Sequence, residues 1–300
     1  MNDLLDYAKV SKVMINHMKE YFKSCDIHSA VLGISGGIDS TLVAVLLHNV
    51  SSQLKEECYD FTFHGISLPT DTTDKREFWV SQLVGNTFCD TFEVVEMDNT
   101  AHVVETWLSN WKVNLNPSVK IKPIRSGNMK SRLRMIYLYD YAKKTNGIVI
   151  GTDNYTEYLL GFSTIGGDAL FDYNPIQYLW KTEVFNMSKV YQEQYIYDDI
   201  TKAAAIKESL ALKPMDGLGI SNDDMVQIGA RNYYDVDDIL KWYLEHKNEP
   251  GYPDNIISSV DGHKITDIAI SKVIKRYKDS EFKRNHPVII LRSEYQENID

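Results

Sequence analysis

The feature that most narrows the fold is a change of character inside residues 31–50, VLGISGGIDSTLVAVLLHNV. An apolar run, Val31-Leu32-Gly33-Ile34, breaks into Ser35-Gly36-Gly37-Ile38-Asp39-Ser40-Thr41 and resumes as a Leu/Val/Ala-rich segment long enough for a buried helix. A strand that turns at once into a helix presents a concave row of backbone N–H groups at the helix N-terminus, which is a site for anions. Gly36 and Gly37 allow positive φ and close approach to phosphate oxygens, while Ser35 and Ser40 can add hydroxyl donors. The plainer alternative is a tight turn with Ser or Asp as N-cap, but a turn alone does not require two serines, two glycines and an acid together. The stretch contains neither G-x-x-x-x-G-K-[ST] nor G-x-G-x-x-G, so it is a phosphate loop of another kind. Asp39 would repel a phosphate unless a cation lay between them, which points to Mg²⁺ bridging to a nucleotide.

Around this break the pattern alternates. Leu4, Leu5, Ala8, Val13, Met14, Ile15, Met18 and Phe22 recur at helical spacing and predict an amphipathic helix on the outside of a sheet. Strands are expected at 29–34, 60–67 and 91–96, with helices at 40–49 and 74–86. A long helix over 126–145 stops at Asn146-Gly147, before the strand GIVIG. This predicts the α/β class with a doubly wound, mostly parallel sheet. Residues 161–176 read as irregular and 211–224 as a loop, and helices resume near 181–194, 235–246 and 264–278. One domain over 1–300 is the simplest organisation, with a core at 28–195 and added helices at the C-terminal end, 196–300.

With 43% hydrophobic residues the 300-residue chain can build a substantial core. Its formal charge of -10 argues against a broadly basic surface and so against nucleic acid as a partner. Cys25, Cys58 and Cys89 are odd in number and far apart, which suggests reduced thiols rather than a disulfide framework or a zinc site. No apolar run is long enough to span a membrane and no export signal is visible, so a cytoplasmic protein is expected.

Two further clusters carry chemistry. GNMKSRLRM, 127–135, sets Lys130, Arg132 and Arg134 at the start of the long helix, with Lys130 and Arg134 on one face and Arg132 on another. Alone this would read as a solvated basic face. After the next strand comes GTDNYTEYLLGFSTIGGDALFDYNPI, 151–176, with acids at 153, 157, 168 and 172. Loops at the carboxyl ends of parallel strands are where α/β sheets bind ligands, and grouped carboxylates there need cations or hydrogen bonds.

SGGIDS resembles the signature of the PP-loop ATP pyrophosphatases, whose sheet is Rossmann-like. Together with GNMKSRLRM and the pattern G-T-D-x-x-x-E-x-x-x-G-F-x-T-x-x-G-D-x-x-x-D-x-x-P, the chain resembles the ammonia-dependent NAD synthetases over residues 28–185. The resemblance implies that Gly33, Ile34, Ser35, Gly36, Gly37, Ile38, Asp39 and Ser40 hold ATP, with Thr152 and Lys181 as further ATP contacts. It implies Mg²⁺ on Asp39 and Glu157, and deamido-NAD on Arg132, Asp172 and, through SEFKRNHP, Lys283. Asp39, Lys181 and Arg132 become the catalytic set. The implied reaction is a ligase reaction in which ATP adenylates the nicotinate carboxylate and ammonia then forms the amide, in a homodimer. Glutamine use would need an additional amidase domain, which the length of the chain does not accommodate, so free ammonia is expected.

The chain departs from the family in places. Ile165 stands where a lysine is common, Ala203, Ala204 and Ala205 offer no hydroxyl for a later ATP contact, and ALKPMDGLGI matches only loosely. Two other readings stay open at this point. One is a PP-loop enzyme acting on another substrate, such as a tRNA base to be thiolated. The other is a nucleotide sensor without catalysis.

Overall fold

The strand that precedes the Ser-Gly-Gly break is buried on both faces. Ala30 and Leu32 point into one apolar cluster, and Val31 points into another, as period-2 alternation requires of a central strand. The computed structural model describes residues 6–109, 121–213, 223–247, 255–285 and 287. Among them β1 (Ser29–Gly33), β2 (Thr62–Ser67), β3 (Thr91–Val94) and β4 (Ile148–Ile150) form one parallel sheet in the order β3-β2-β1-β4. Ala30 faces Phe63 of β2 and Ile148 of β4.

Helices cover both faces. The first cluster joins α1 (Tyr7–Ser24), α2 (Ile38–Glu56) and α3 (Lys75–Phe88) to the sheet. The opposite face meets α5 (Ile121–Lys144) through Leu133, Leu138 and Ala142, and α4 (Asp98–Ser109) packs on α5. After β4 come α6 (Tyr155–Leu160), α7 (Lys181–Asp198) and α8 (Ile200–Leu210), then α9 (Asp224–Ile228), α10 (Tyr233–His246), α11 (Asp267–Asp279) and the short α12 (Glu281–Arg284). Leu159 and Leu160 of α6 enter a separate apolar cluster with Val236, Ile239 and Leu240 of α10 and Ile270 and Val273 of α11. The doubly wound α/β fold is therefore the observed one.

Differences from the expected elements have local causes. The helix after the phosphate loop begins at Ile38 rather than 40, which places Asp39 in its first turn. It is apolar on almost every side, with Leu42, Val43, Ala44, Leu46 and Leu47 all buried, as befits a helix enclosed by neighbours. α4, α6 and α8 were not among the predicted elements. α6 starts from a capping box, in which the Asn154 side chain accepts from the Glu157 N–H at 3.0 Å and the Glu157 carboxylate accepts from the Asn154 N–H at 3.4 Å. α8 starts from Asp199, which accepts from the N–H groups of Thr201 and Lys202, and continues through an Ala-rich run of high helix propensity. Most of the expected 211–224 loop, residues 214–222, lies outside the described residues. No described helix is long and apolar enough to cross a membrane.

Phe22 ties α1 to this core. It is fully buried and stacks on Phe61 with ring centroids 5.1 Å apart. Phe22→Ala should lower the unfolding free energy in urea by about 3–5 kcal/mol. A loss below about 1 kcal/mol would mean that α1 only decorates the sheet.

Candidate active site

β1 has β2 on one side and β4 on the other, so the chain leaves the carboxyl ends of β1 and β4 in opposite directions. A crevice opens at such a switch point. Here it is a cavity of about 590 Å³ lined from β1 and α2 by Gly33, Ser35 and Asp39 and from beyond β4 by Thr152, Glu157 and Lys181. That volume is ordinary for a small-molecule site.

The β1 side is built for an anion. The N-cap of α2 is Gly37, and no side chain caps it, so first-turn N–H groups remain for a ligand. Ser35 Oγ accepts from the Gly37 N–H at 3.1 Å and shares a 3.0 Å bond with Ser40 Oγ, while the Ser40 hydroxyl donates to the Gly37 carbonyl. The two serines thus brace the loop against itself. Gly36 has φ +94°, and a Cβ there would lie 2.5 Å from the Glu77 carbonyl oxygen and 2.8 Å from the Ser81 nitrogen, so only glycine fits. From behind, the Ser209 hydroxyl of α8 donates to the Gly36 carbonyl at 2.8 Å and accepts from Thr41 at 2.9 Å.

The β4 side supplies charge. Lys181 Nζ lies 2.6 Å from Asp39 Oδ2 and 2.8 Å from Glu157 Oε1, and its side chain is only 3% exposed. Asn154 completes the arrangement by donating to Asp39 Oδ1 at 2.8 Å. Burial disfavours the ammonium, but the two carboxylates outweigh it and hold the Lys181 pKa above its ordinary value. Burial and the Asp39 charge push the Glu157 carboxyl up, against the pull of Lys181. These shifts conflict if the contact is taken as a simple ion pair, since a paired carboxylate should titrate low. They agree once three groups are considered, because one ammonium compensates one negative charge and the second carboxyl keeps its proton to higher pH. Asp153, buried beside them, is pushed well up by burial and then by Asp168, Glu157 and Asp39. The site therefore carries an excess of acid that an added cation would relieve.

The residues named from sequence separate into two groups. Gly33, Ile34, Ser35, Gly37, Ile38, Asp39, Thr152, Glu157 and Lys181 line the cavity, with Gly36 and the buried Ser40 within the same loop. Arg132, Asp172 and Lys283 do not line it. Arg132 is exposed and its Nε donates to the Ile165 carbonyl at 3.2 Å. Asp172 accepts from the Val149 N–H at 2.8 Å and from the Tyr139 hydroxyl at 3.1 Å. Lys283 donates to the carbonyls of Gly161 and Ser163, beside a second hollow. Groups that sequence reasoning does not name as site residues include Arg134 and Ser209, which line the cavity, and the fully buried Asn154 behind Asp39. Arg134 reaches the cavity in place of Arg132, its Nε held by the Leu68 carbonyl at 3.0 Å, and burial draws its pKa down against Glu77 and Asp168. Its sequence signal was the face shared with Lys130, which binds Asp71 at 2.5 Å. Asn154 could have been found from its N-x-x-E capping pattern, whereas Ser209 carries no local signal.

A family model described as NAD synthase matches residues 10–287. The chain belongs to the NAD synthase family. It is 30% identical over 290 residues to the NH(3)-dependent NAD(+) synthetase of Fusobacterium nucleatum, covering 96% of this chain and 98% of that one. It is 29% identical to the enzyme of the same name from Thermococcus sibiricus, covering 95% and 97%. Among solved structures its fold is similar to NMN synthetase from Francisella tularensis, with a TM-score of 0.73 at 22% identity, covering 96% of this chain and 99% of that one. It is also similar to the NH3-dependent NAD synthetase of Campylobacter jejuni, with a TM-score of 0.64 at 24% identity, covering 96% and 100%.

In this family member the ammonium between two carboxylates sets a pH test. Without it Asp39 and Glu157 face each other, and the Glu157 carboxyl, already raised by burial and the Asp39 charge, loses the Lys181 charge that pulls it down and rises further above its ordinary value of 4.5. Over that interval the folded chain binds a proton that the unfolded chain has released, so stability falls as pH rises. Lys181→Met, unfolded by urea in metal-free buffer, should lose about 3–5 kcal/mol at pH 8 and clearly less at pH 5. Equal losses at the two pH values would contradict the three-group account.

Proposed function

We propose that this chain is an ATP-dependent ligase that converts the nicotinate carboxylate of deamido-NAD into the amide of NAD, with free ammonia as the nitrogen source. The observation that carries the reading is the buried Lys181 ammonium between Asp39 and Glu157, set beside the uncapped N-terminus of α2 in a member of the NAD synthase family.

A carboxylate oxygen is a poor leaving group, so activation precedes amide formation. The carboxylate oxygen of the substrate attacks the α-phosphorus of ATP, and the bond from that phosphorus to pyrophosphate breaks. The ammonia nitrogen then adds to the acyl carbon, the bond from that carbon to the AMP oxygen breaks, and a proton is released. The protein contributes position and charge. The N–H groups at the start of α2, the 33–40 loop, Thr152 and Lys181 face the phosphates and neutralise the departing pyrophosphate. Arg134 lines the cavity and would meet charge at the reacting end, while Arg132, Asp172 and Lys283, which lie outside it, would hold parts of the dinucleotide farther away. The reaction needs no nucleophilic side chain. The intact set of Asp39, Glu157 and Lys181 favours catalysis over a sensor, which could dispense with it.

The residues present fit Mg²⁺. Asp39 and Glu157 both line the cavity and stand on either side of the Lys181 ammonium, which takes one oxygen of each, so the two carboxylates are near enough to share a second cation on the cavity side. Among the described residues no three acidic, His or Cys groups converge tightly enough to enclose a metal. Two hard oxygens with room for water and phosphate suit Mg²⁺, which keeps several waters. When bound it would supply charge neutralisation to the phosphates.

The reading is of a cytoplasmic homodimer. Val103 and Trp107 of α4 and Ile124 and Ile136 of the adjoining α5 are exposed, and a second copy would cover them. Sedimentation velocity should give a species of two chains that Val103→Glu converts to one. A monomer at micromolar concentration would remove the dimer from the proposal.

Activity is tested by pyrophosphate release from ATP and Mg²⁺, with NAD followed by a coupled dehydrogenase. Both products should appear only with deamido-NAD and ammonium present, and Asp39→Asn or Lys181→Met should cut kcat by at least about 100-fold. No pyrophosphate from the complete mixture would overturn the assignment.

A further inference from the structure

Lys181 is the first residue of α7, and its placement depends on how that helix begins. The N-cap residue, Trp180, makes no side-chain cap bond. The first two N–H groups find acceptors on other elements instead. Lys181 N–H donates to Thr156 Oγ1 of α6 at 2.9 Å, and Thr182 N–H donates to Asp237 Oδ2 of α10 at 3.0 Å. The same carboxylate accepts from the Thr182 hydroxyl at 2.7 Å and, through Oδ1, from the Thr156 hydroxyl at 2.5 Å. Asp237 is 1% exposed and takes three hydrogen bonds, all from the first turns of α6 and α7, which also meet directly through the Lys181 N–H on Thr156 and the Lys181 ammonium on Glu157.

Those two turns carry the cavity's charges. Thr156 precedes Glu157, and Lys181 precedes Thr182. A displacement of one helix start against the other would separate the ammonium from its carboxylate. A buried carboxylate without an ion pair is costly, and apolar residues of similar volume usually stabilise a core better. Asp237 sits on α10 next to residues of an apolar cluster, Val236, Ile239 and Leu240, and is itself buried. It forms no ion pair among the described residues, and Lys241, one turn on, stands over the Trp180 ring at 5.1 Å. Burial pushes the Asp237 carboxyl up to about 6, against the hydrogen bonds from Thr156 and Thr182.

We infer that Asp237 is a positioning residue, which clamps the first turn of α7 to the first turn of α6 and thereby sets Lys181 against Glu157 and Asp39. It touches neither substrate nor metal ligand and acts through Thr156 and Thr182. The inference rests on the proposed activity for its kinetic readout, although the clamp itself does not.

The test is a double-mutant cycle on the full-length protein together with a signal from the ligand-free state. Asp237→Asn keeps the shape and leaves the Thr156 hydroxyl without its acceptor. In a folded variant kcat should fall at least about 10-fold, with KM for ATP and for deamido-NAD nearly unchanged. On a Lys181→Met background the same substitution should cost under about 2-fold. In ligand-free protein the slowly exchanging ¹⁵N ammonium resonance of Lys181, identified by its absence in Lys181→Met, should move or vanish in Asp237→Asn. A role in stability alone would lower the melting temperature and leave resonance and kcat in place. If Asp237→Asn does not fold, Thr182→Val, which deletes one bond at constant shape, is read in the same way. An unmoved resonance, or penalties that add across the cycle, would overturn the clamp. If the wild type releases no pyrophosphate, the proposed activity falls, and the resonance alone decides the clamp.

Discussion

One ammonium holding two carboxylates organises this molecule. Asp39 comes from the helix after β1, Glu157 from the helix after β4, and Lys181 from the helix that follows the irregular 161–176 stretch. Lys181 is buried and the two carboxylates are largely withdrawn from solvent, so each charge is costly alone and is tolerated through the others. Much of the surrounding structure serves that meeting. The order β3-β2-β1-β4 brings the first and last strand ends side by side, and Asn154 caps α6 while donating to Asp39. The glycine at 36, pressed on the backbone of α3, fixes where α2 can start.

Glu157 shows how few residues are spent on this. Its carboxylate closes the capping box of α6 and faces Lys181, so helix initiation and site chemistry use the same side chain. Such double use leaves little freedom for substitution. Glutamine would keep the cap and lose the charge, and aspartate would shorten the reach to both.

Local patterns made much of the fold legible. The apolar run at 31–34, the glycines after it and the long period over 126–145 each depend on neighbours in sequence, so β1, α2 and α5 could be read directly. α6 and α8 were missed although their caps, Asn154 and Asp199, were readable, because a six-residue helix and an Ala-rich run give weak periodicity. In the site, Asp39 followed from the loop's own chemistry, whereas pairing it with Lys181, 142 residues away, needed the family resemblance. Arg134 rather than Arg132 reaches the cavity because α5 presents one face to the sheet, and helical spacing names the faces without saying which one packs inward. Ser209 braces the loop across 173 residues, and Asp237 reaches Thr156 across 81. Contacts of that kind exist only once the chain has folded.

The switch point also divides the labour of the site between two stretches of chain. One wall of the cavity comes from residues 33–40, whose backbone is held at Gly36 between α3 and α8. The opposite wall, with Gly167, Asp168 and Leu170, comes from a stretch without regular structure that carries no strand or long helix. Changes there can reshape that wall while the 33–40 loop stays as it is. A scaffold arranged in this way can exchange the acid it activates through drift in one loop, keeping a single chemistry for many acceptors.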